Sequence, residues 1–205
     1  MGEGPQPSVY GSIVALSAVK NWLRALLIVL ACTGSALATS AGDVRATPLV
    51  DDVRAIPLVD QSGAAFRILD LRGRPALLTF VATRCADACP IANVAFDRLR
   101  ARLRHDRIDA RLVTITLDPV YDTPFVMSKL ARSLHADPNE WVFASGRPAD
   151  VRRLMRSLGV IAVSGKSDIP DQHSTFVYVL DRRARLVRTL LLSTNLEDAA
   201  EQALL

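Results

Sequence analysis

"ALLTFVATRCADACP", residues 76–90, joins two kinds of sequence at one point. The run "ALLTFVAT" (76–83) is too continuously apolar for a strand with one wet face, so it predicts a central strand buried on both sides. Pro90 suits the first position of a helix, where its missing N–H costs nothing. Cys85 and Cys89 therefore stand where a buried strand gives way to a helix. Orphan amide N–H groups and the helix dipole stabilise negative charge there, which predicts a lowered pKa for at least one thiol.

From this junction the pattern alternates in both directions. Downstream, a helix begins near Cys89, with Ile91, Ala95, Leu99 and Leu103 as its buried stripe and arginines elsewhere. Upstream, "FRILD" (66–70) pairs with 76–83 as a hairpin across "LRGRP". "RLVTITL" (111–117) is the next buried strand, and "DTP" (122–124) opens a capped helix with Pro124 just inside it. "WVFAS" (141–145) is a further strand, followed by the helix "PADVRRLMRSLG" (148–159), which Gly159 stops. "STFVYVL" (174–180) pairs through "DRRA" with "RLVRTLLL" (185–192), and a capping box of Thr194 and Glu197 opens a last helix. Strands alternating with helices make βαβ units, and the fold class is α/β.

Half of the 205 residues are apolar and 22% are charged, the composition of a globular domain. The net charge of +4 includes no block of like charges, which argues against a nucleic-acid partner. Lys20 and Arg24 lead into "ALLIVLACTGSALA" (25–38), the basic start, apolar run and small-residue end of an export signal. "ALA" at 36–38 suits cleavage, "VLAC" ending at Cys32 is an imperfect lipoprotein box, and residues 22–38 approach membrane-spanning length. All three readings stay open, and each sends the domain to the periplasm or another extracytoplasmic space, with a tether to the inner membrane under two of them.

"DVRATPLVD" (43–51) and "DVRAIPLVD" (52–60) form a tandem repeat that differs only at Thr47 against Ile56. Nine residues are too few for a helical solenoid unit, and the repeat reads as a duplication in a flexible linker whose second copy runs on into the fold. The expected organisation is a signal peptide or membrane anchor over 1–40, a linker over 41–60 and one domain over 61–205.

Outside the cytoplasm Cys85 and Cys89 either pair with each other or bind something. A strand, loop and helix with cysteines at the mouth is the layout of thioredoxin-like proteins, which usually place two residues between the pair. Three intervening residues enlarge the loop and ease coordination of one ion by both sulfurs, while a disulfide also fits. A third donor has to come from His105, His135 or His173. The first two end predicted helices, where a partial positive charge is favourable, and read as surface residues. His173 closes the loop 162–172 and directly precedes an apolar strand; it reads as a ligand or as a histidine bonded to loop backbone. Two sulfurs and an imidazole suit Cu(I) and also hold Zn(II) or Cu(II).

"LVDQSG" (58–63), "LRGRPALLTFVATRCADACP" (71–90), "ITLDPVYDTP" (115–124) and "DQHSTFVYVLD" (171–181) together resemble the SCO/SenC copper proteins of respiratory oxidase assembly, over about residues 55–204. The resemblance implies a thioredoxin-like fold, a central mixed sheet with helices on both faces, and a copper ion held by Cys85, Cys89 and His173. It also implies that Asp87 guides docking or tunes the site, and that Asp118 and Asp122 shape a neighbouring loop. Taken from the residues alone, Asp122 is a helix cap or turn. Ala86, Ala88 and Gln172 depart from the residues often found in the family, which bears on copper affinity and partner choice.

Two functions follow. One is an exported metallochaperone that delivers copper to, or prepares, the binuclear copper centre of a haem-copper oxidase, its partners being the copper-centre subunit and other copper carriers. The other is a thiol-disulfide oxidoreductase acting on an exported client, with Cys85 attacking, Cys89 resolving and a thiol reductant restoring the pair. The need for His173 separates them. A peroxidase is disfavoured, because only Arg84 lies between Thr83 and Cys85 and the nearest upstream proline is Pro75.

Overall fold

The structure is a computed structural model that describes residues 51–85, 88–163, 172–173, 175–193 and 195–204. The segment 25–38 with Cys32, the first repeat copy up to Val50, Asp87 and the expected cap Thr194 lie outside the described residues, as do the side chains of Gln172 and His173.

Three parallel strands form the centre: β3 (Ala76–Val81), β4 (Arg111–Thr116) and β5 (Trp141–Ser145). β1 (Leu58–Asp60) and β2 (Ala65–Phe66) extend the sheet beyond β5, and β8 (Phe176–Leu180) and β9 (Leu186–Leu191) extend it beyond β3. The order is β2-β1-β5-β4-β3-β8-β9, with β1 antiparallel to β5 and β8 antiparallel to β3, so the sheet is mixed. A short ladder pairs β6 (Ala162–Val163) with β7 (Gln172–His173).

Side-chain alternation sends each strand's apolar residues to two separate cores. Leu77, Leu112, Trp141, Phe143, Val177 and Val179 face α2 (Ala88–His105), α3 (Pro124–Ser133) and α5 (Leu196–Leu204). Leu78, Phe80, Val113, Ile115, Val142 and Ala144 face α4 (Pro148–Ser157) and the short α1 (Asp51–Arg54). Every residue of β3 is buried, as expected of a strand covered on both faces. Trp141 brings its indole N–H into the sheet interior, where it donates to the Thr114 hydroxyl at 2.9 Å.

Three expectations need correction. The hairpin between 66–70 and 76–83 does not form: Ile68–Leu71 is a turn of 3₁₀ helix, and β3 pairs with β4 and β8 instead. Ile68 and Leu71 are buried three positions apart, and Asp70 accepts from the Arg67 backbone N–H at 2.8 Å, closing the turn locally. The buried face of α2 carries Ala92, Phe96, Leu99 and Leu103, while Ile91 is 65% exposed, because a strict four-residue spacing drifts off a helix of 3.6 residues per turn. The fold also begins upstream of Gln61. Val53, Ile56 and Leu58 are buried, and β1 lies inside the sheet.

β3 and β4 run parallel and end together, so the loops that follow them meet at one edge of the sheet. The backbone N–H of Leu117 donates to the Val81 carbonyl at 2.7 Å and ties the two loops at their start. Ligand sites in open α/β sheets form outside the carboxyl ends of strands.

Candidate functional site

Cys85 and Cys89 come together at that edge as thiols, 5% and 3% exposed. The loop turns back at once, with the Cys85 N–H donating to the Ala82 carbonyl at 3.0 Å. The Ala82 N–H donates to the Cys89 sulfur at 3.1 Å, and the two thiols share a hydrogen bond. At Cys89 the expected lowering of pKa does not occur. Burial pushes this thiol up to about 12; the Ala82 N–H works in the opposite direction and the Cys85 thiol adds to the rise. Desolvation outweighs the helix dipole here because Cys89 packs into the core against Ala92 and its neighbours.

A set of polar contacts clamps the approach to Cys85. The fully buried carboxylate of Asp122 accepts from the Thr83 N–H at 3.0 Å, from the Thr83 hydroxyl and from the Thr116 hydroxyl at 2.7 Å. Thr116 in turn accepts from the Asp118 N–H at 2.8 Å. Arg84 pairs with Asp118 at 2.5 Å and lies 4.5 Å from the centre of the Tyr121 ring. Asp122 is thus not the helix cap: Thr123 caps α3, accepting from Val126, and Asp122 points inward to the sulfur loop. The sequence signal was present as Thr83, Thr116 and Asp122 near two strand ends, but only the parallel pairing of β3 with β4 brings them together.

Register fixes the level of Phe176 along the sheet. β8 runs antiparallel to β3, with Ala76 opposite Leu180 and Leu78 opposite Tyr178, and Thr79 donates to the Phe176 carbonyl at 3.1 Å. Residues upstream of Phe176 therefore lie toward the end of β3 where the cysteine loop starts. The His173 backbone pairs across β7 and β6 with Ala162, in a two-stranded ladder separate from the main sheet; its imidazole is outside the described side chains. His105 and His135 sit elsewhere. His105 ends α2, roughly 25 Å along the helix from its start, with an exposed ring against Asp106. His135 follows α3 with φ +49°, and its carbonyl accepts from Arg100.

Two adjacent soft sulfurs in a dry, hydrogen-bonded loop fit a soft metal ion and fit oxidation to a disulfide equally well. Among the described residues no group of three or more His, Cys, Asp and Glu side chains could hold a metal.

The chain matches known proteins over its folded part. The pattern of the family described as SCO1/SenC matches residues 53–204. An SCO2-like protein of Rickettsia prowazekii is 28% identical over 146 residues, 69% of this chain and 70% of its own length. Among solved structures, Bradyrhizobium japonicum ScoI with copper bound is 29% identical with a TM-score of 0.62, covering 78% of this chain and 97% of that one. BsSco, described as having a disulfide switch and as a member of the Sco family of cytochrome c oxidase assembly proteins, gives a TM-score of 0.64 over 78% of this chain and 92% of its own. At 19% identity it attests the fold alone, which is thioredoxin-like. The matched span carries the two cysteines, the aspartates that clamp their loop and the strand edge beyond them, and the chain belongs to the SCO1/SenC family.

Proposed function

We propose that this chain is an exported copper-binding protein that delivers copper to, or prepares, the binuclear copper centre of a haem-copper oxidase. The observation that carries the reading is the adjacency of the Cys85 and Cys89 thiols at the sheet edge. Cys85, Cys89 and His173 are the ligands of the cargo ion: two sulfurs select a soft ion, and an imidazole completes a three-donor set. The clamp through Asp122 and Arg84 holds the start of the loop, at Thr83 and Arg84, ahead of binding. The recipient is the oxidase subunit that bears the copper centre, other copper carriers supply the ion, and residues 25–38 direct or tether the domain outside the cytoplasm.

Titration of the reduced protein with Cu(I) against a competing chelator tests this. Wild type should take one ion per chain. Cys85→Ser or Cys89→Ser should abolish tight binding, and His173→Ala should weaken it by tenfold or more. One-to-one binding of undiminished affinity in His173→Ala would remove the three-donor site.

The hydrogen bond between the two thiols also favours thiol-disulfide exchange. In that chemistry the Cys85 thiolate attacks a client disulfide and expels one client thiolate, and the Cys89 sulfur then displaces the second. The client gains two electrons, the pair becomes a disulfide, and a thiol reductant restores it. Exchange with a disulfide-containing peptide that is untouched by His173→Ala is the expected signature. No exchange at any pH from about 6 to 9 would eliminate this role.

A further inference from the structure

Residues 52–60 fill a groove of the fold with a motif that the chain contains twice. Val53, Ile56 and Leu58 are 4%, 3% and 2% exposed. Asp52 pairs with Arg153 of α4, and the buried Arg54 donates to the carbonyls of Arg183 at 2.9 Å and Ala184 at 3.4 Å in the β8–β9 turn. Leu58–Asp60 is β1, hydrogen-bonded on one side to β5 and on the other to β2. Nine positions earlier the chain repeats these side chains as Asp43, Val44, Arg45, Leu49, Val50 and Asp51. The single difference falls at Ile56, where the first copy has Thr47.

We infer that this groove accepts either copy of the repeat, and that the buried contact of Ile56 selects the second. Seating the first copy would put a threonine where an isoleucine is 3% exposed, losing apolar burial and sinking a hydroxyl, a preference on the order of tenfold to a hundredfold. Gln61 supplies a second lock. It donates to the Trp141 carbonyl at 3.1 Å and accepts from the Phe143 N–H at 2.9 Å. Behind the first copy its place falls to Asp52, whose carboxylate can accept but cannot donate.

The exchange itself is feasible in the chain. With the first copy seated, residues 52–60 join the β1–β2 connection, and loop-closure entropy grows only slowly with length. The duplication therefore has a consequence beyond a longer linker. It offers two lengths of chain between residue 38 and the seated copy: thirteen residues (39–51) with the second copy seated, four (39–42) with the first. At roughly 3.5 Å per extended residue these span at most about 45 Å and about 14 Å. This inference stands apart from the copper reading and survives its failure.

The test uses the full chain in three variants: Ile56→Thr, Thr47→Ile, and the exchanged Thr47→Ile/Ile56→Thr. The readouts are the urea midpoint and hydrogen exchange of peptides covering 49–51 and 58–60. Ile56→Thr should lower the midpoint, and adding Thr47→Ile should restore most of the loss. In the exchanged protein slow exchange should move from 58–60 to 49–51, and Thr47→Ile alone should keep protection chiefly at 58–60, where Gln61 still locks the second copy, with a measurable gain at 49–51. An exchanged protein as unstable as Ile56→Thr, with protection still at 58–60, overturns the inference. If Ile56→Thr does not fold at all, recovery of folding in the exchanged protein supports it, and failure of both rejects it.

Discussion

The Asp122 carboxylate accepts both the backbone N–H and the hydroxyl of Thr83, 39 positions away in sequence and two before Cys85. This contact joins the loop after β4 to the loop after β3, so the position of the first sulfur depends on a carboxylate whose role is to hold the loop. Thr116 and Asp118 extend the contact back into the sheet.

Asp122→Ala should strand the Thr83 N–H and two hydroxyls in a buried site. Leaving such donors without a partner lowers stability by about 2–4 kcal/mol. Urea unfolding measures it, and a loss below roughly 0.5 kcal/mol would mean that the loop holds its shape without this carboxylate.

Stability should also fall as pH rises on account of the same group. Burial raises the Asp122 pKa above the ordinary 3.8, against three hydrogen bonds that lower it. The folded protein thus holds this proton more tightly than the unfolded chain. Its contribution is complete below the unfolded value and is lost as pH climbs through the raised folded one. Asp122→Asn, which titrates in neither state, should lack that slope. Unfolding curves collected from about pH 4 to 7 decide it; equal slopes in the two proteins would refute the shift.

Within the sheet, Trp141 donates its indole N–H to Thr114, and both residues are fully buried. Thr114→Val keeps the side-chain shape and leaves that N–H without its acceptor. The expected loss is about 1–3 kcal/mol with the fold intact, read from urea unfolding followed by the tryptophan emission. An unchanged midpoint would show that the bond contributes nothing net.

Much of this architecture was legible because burial on both faces leaves a plain mark. The apolar runs at 76–83, 111–117 and 141–145 all became central strands. What escaped depended on neighbours distant in sequence. Nothing local distinguishes Asp122 as a clamp from Asp122 as a cap until β3 and β4 are paired. Ile68 and Leu71 misled for the opposite reason, since a short apolar stretch fits a strand or a single helical turn and only the Asp70 contact with Arg67 decides. The cysteine pair was legible from spacing, whereas the burial that raises the Cys89 pKa was not, because it comes from the core facing α4.

Cys89 should resist alkylation in the native protein. With its pKa at about 12 rather than 9.0, the thiolate fraction at pH 8 is about a thousandfold smaller than for an ordinary thiol, and burial slows access further. Iodoacetamide labelling followed by mass spectrometry should find Cys89 unmodified in buffer and modified in urea. Rapid native labelling of Cys89 would show that the site opens readily.

That buried proton also fixes how copper uptake should vary with acidity. A thiol that stays protonated through the physiological range must release its proton when its sulfur becomes a ligand. Each proton released makes apparent affinity about tenfold higher per pH unit, so Cu(I) binding should tighten at least a hundredfold between pH 6 and pH 8. Competition titrations at the two pH values, corrected for the chelator's own protonation, supply the measurement. In Cys89→Ser the residual binding should lose that part of the dependence. A flat profile in wild type would mean that the Cys89 sulfur keeps its proton and takes no part in holding the ion.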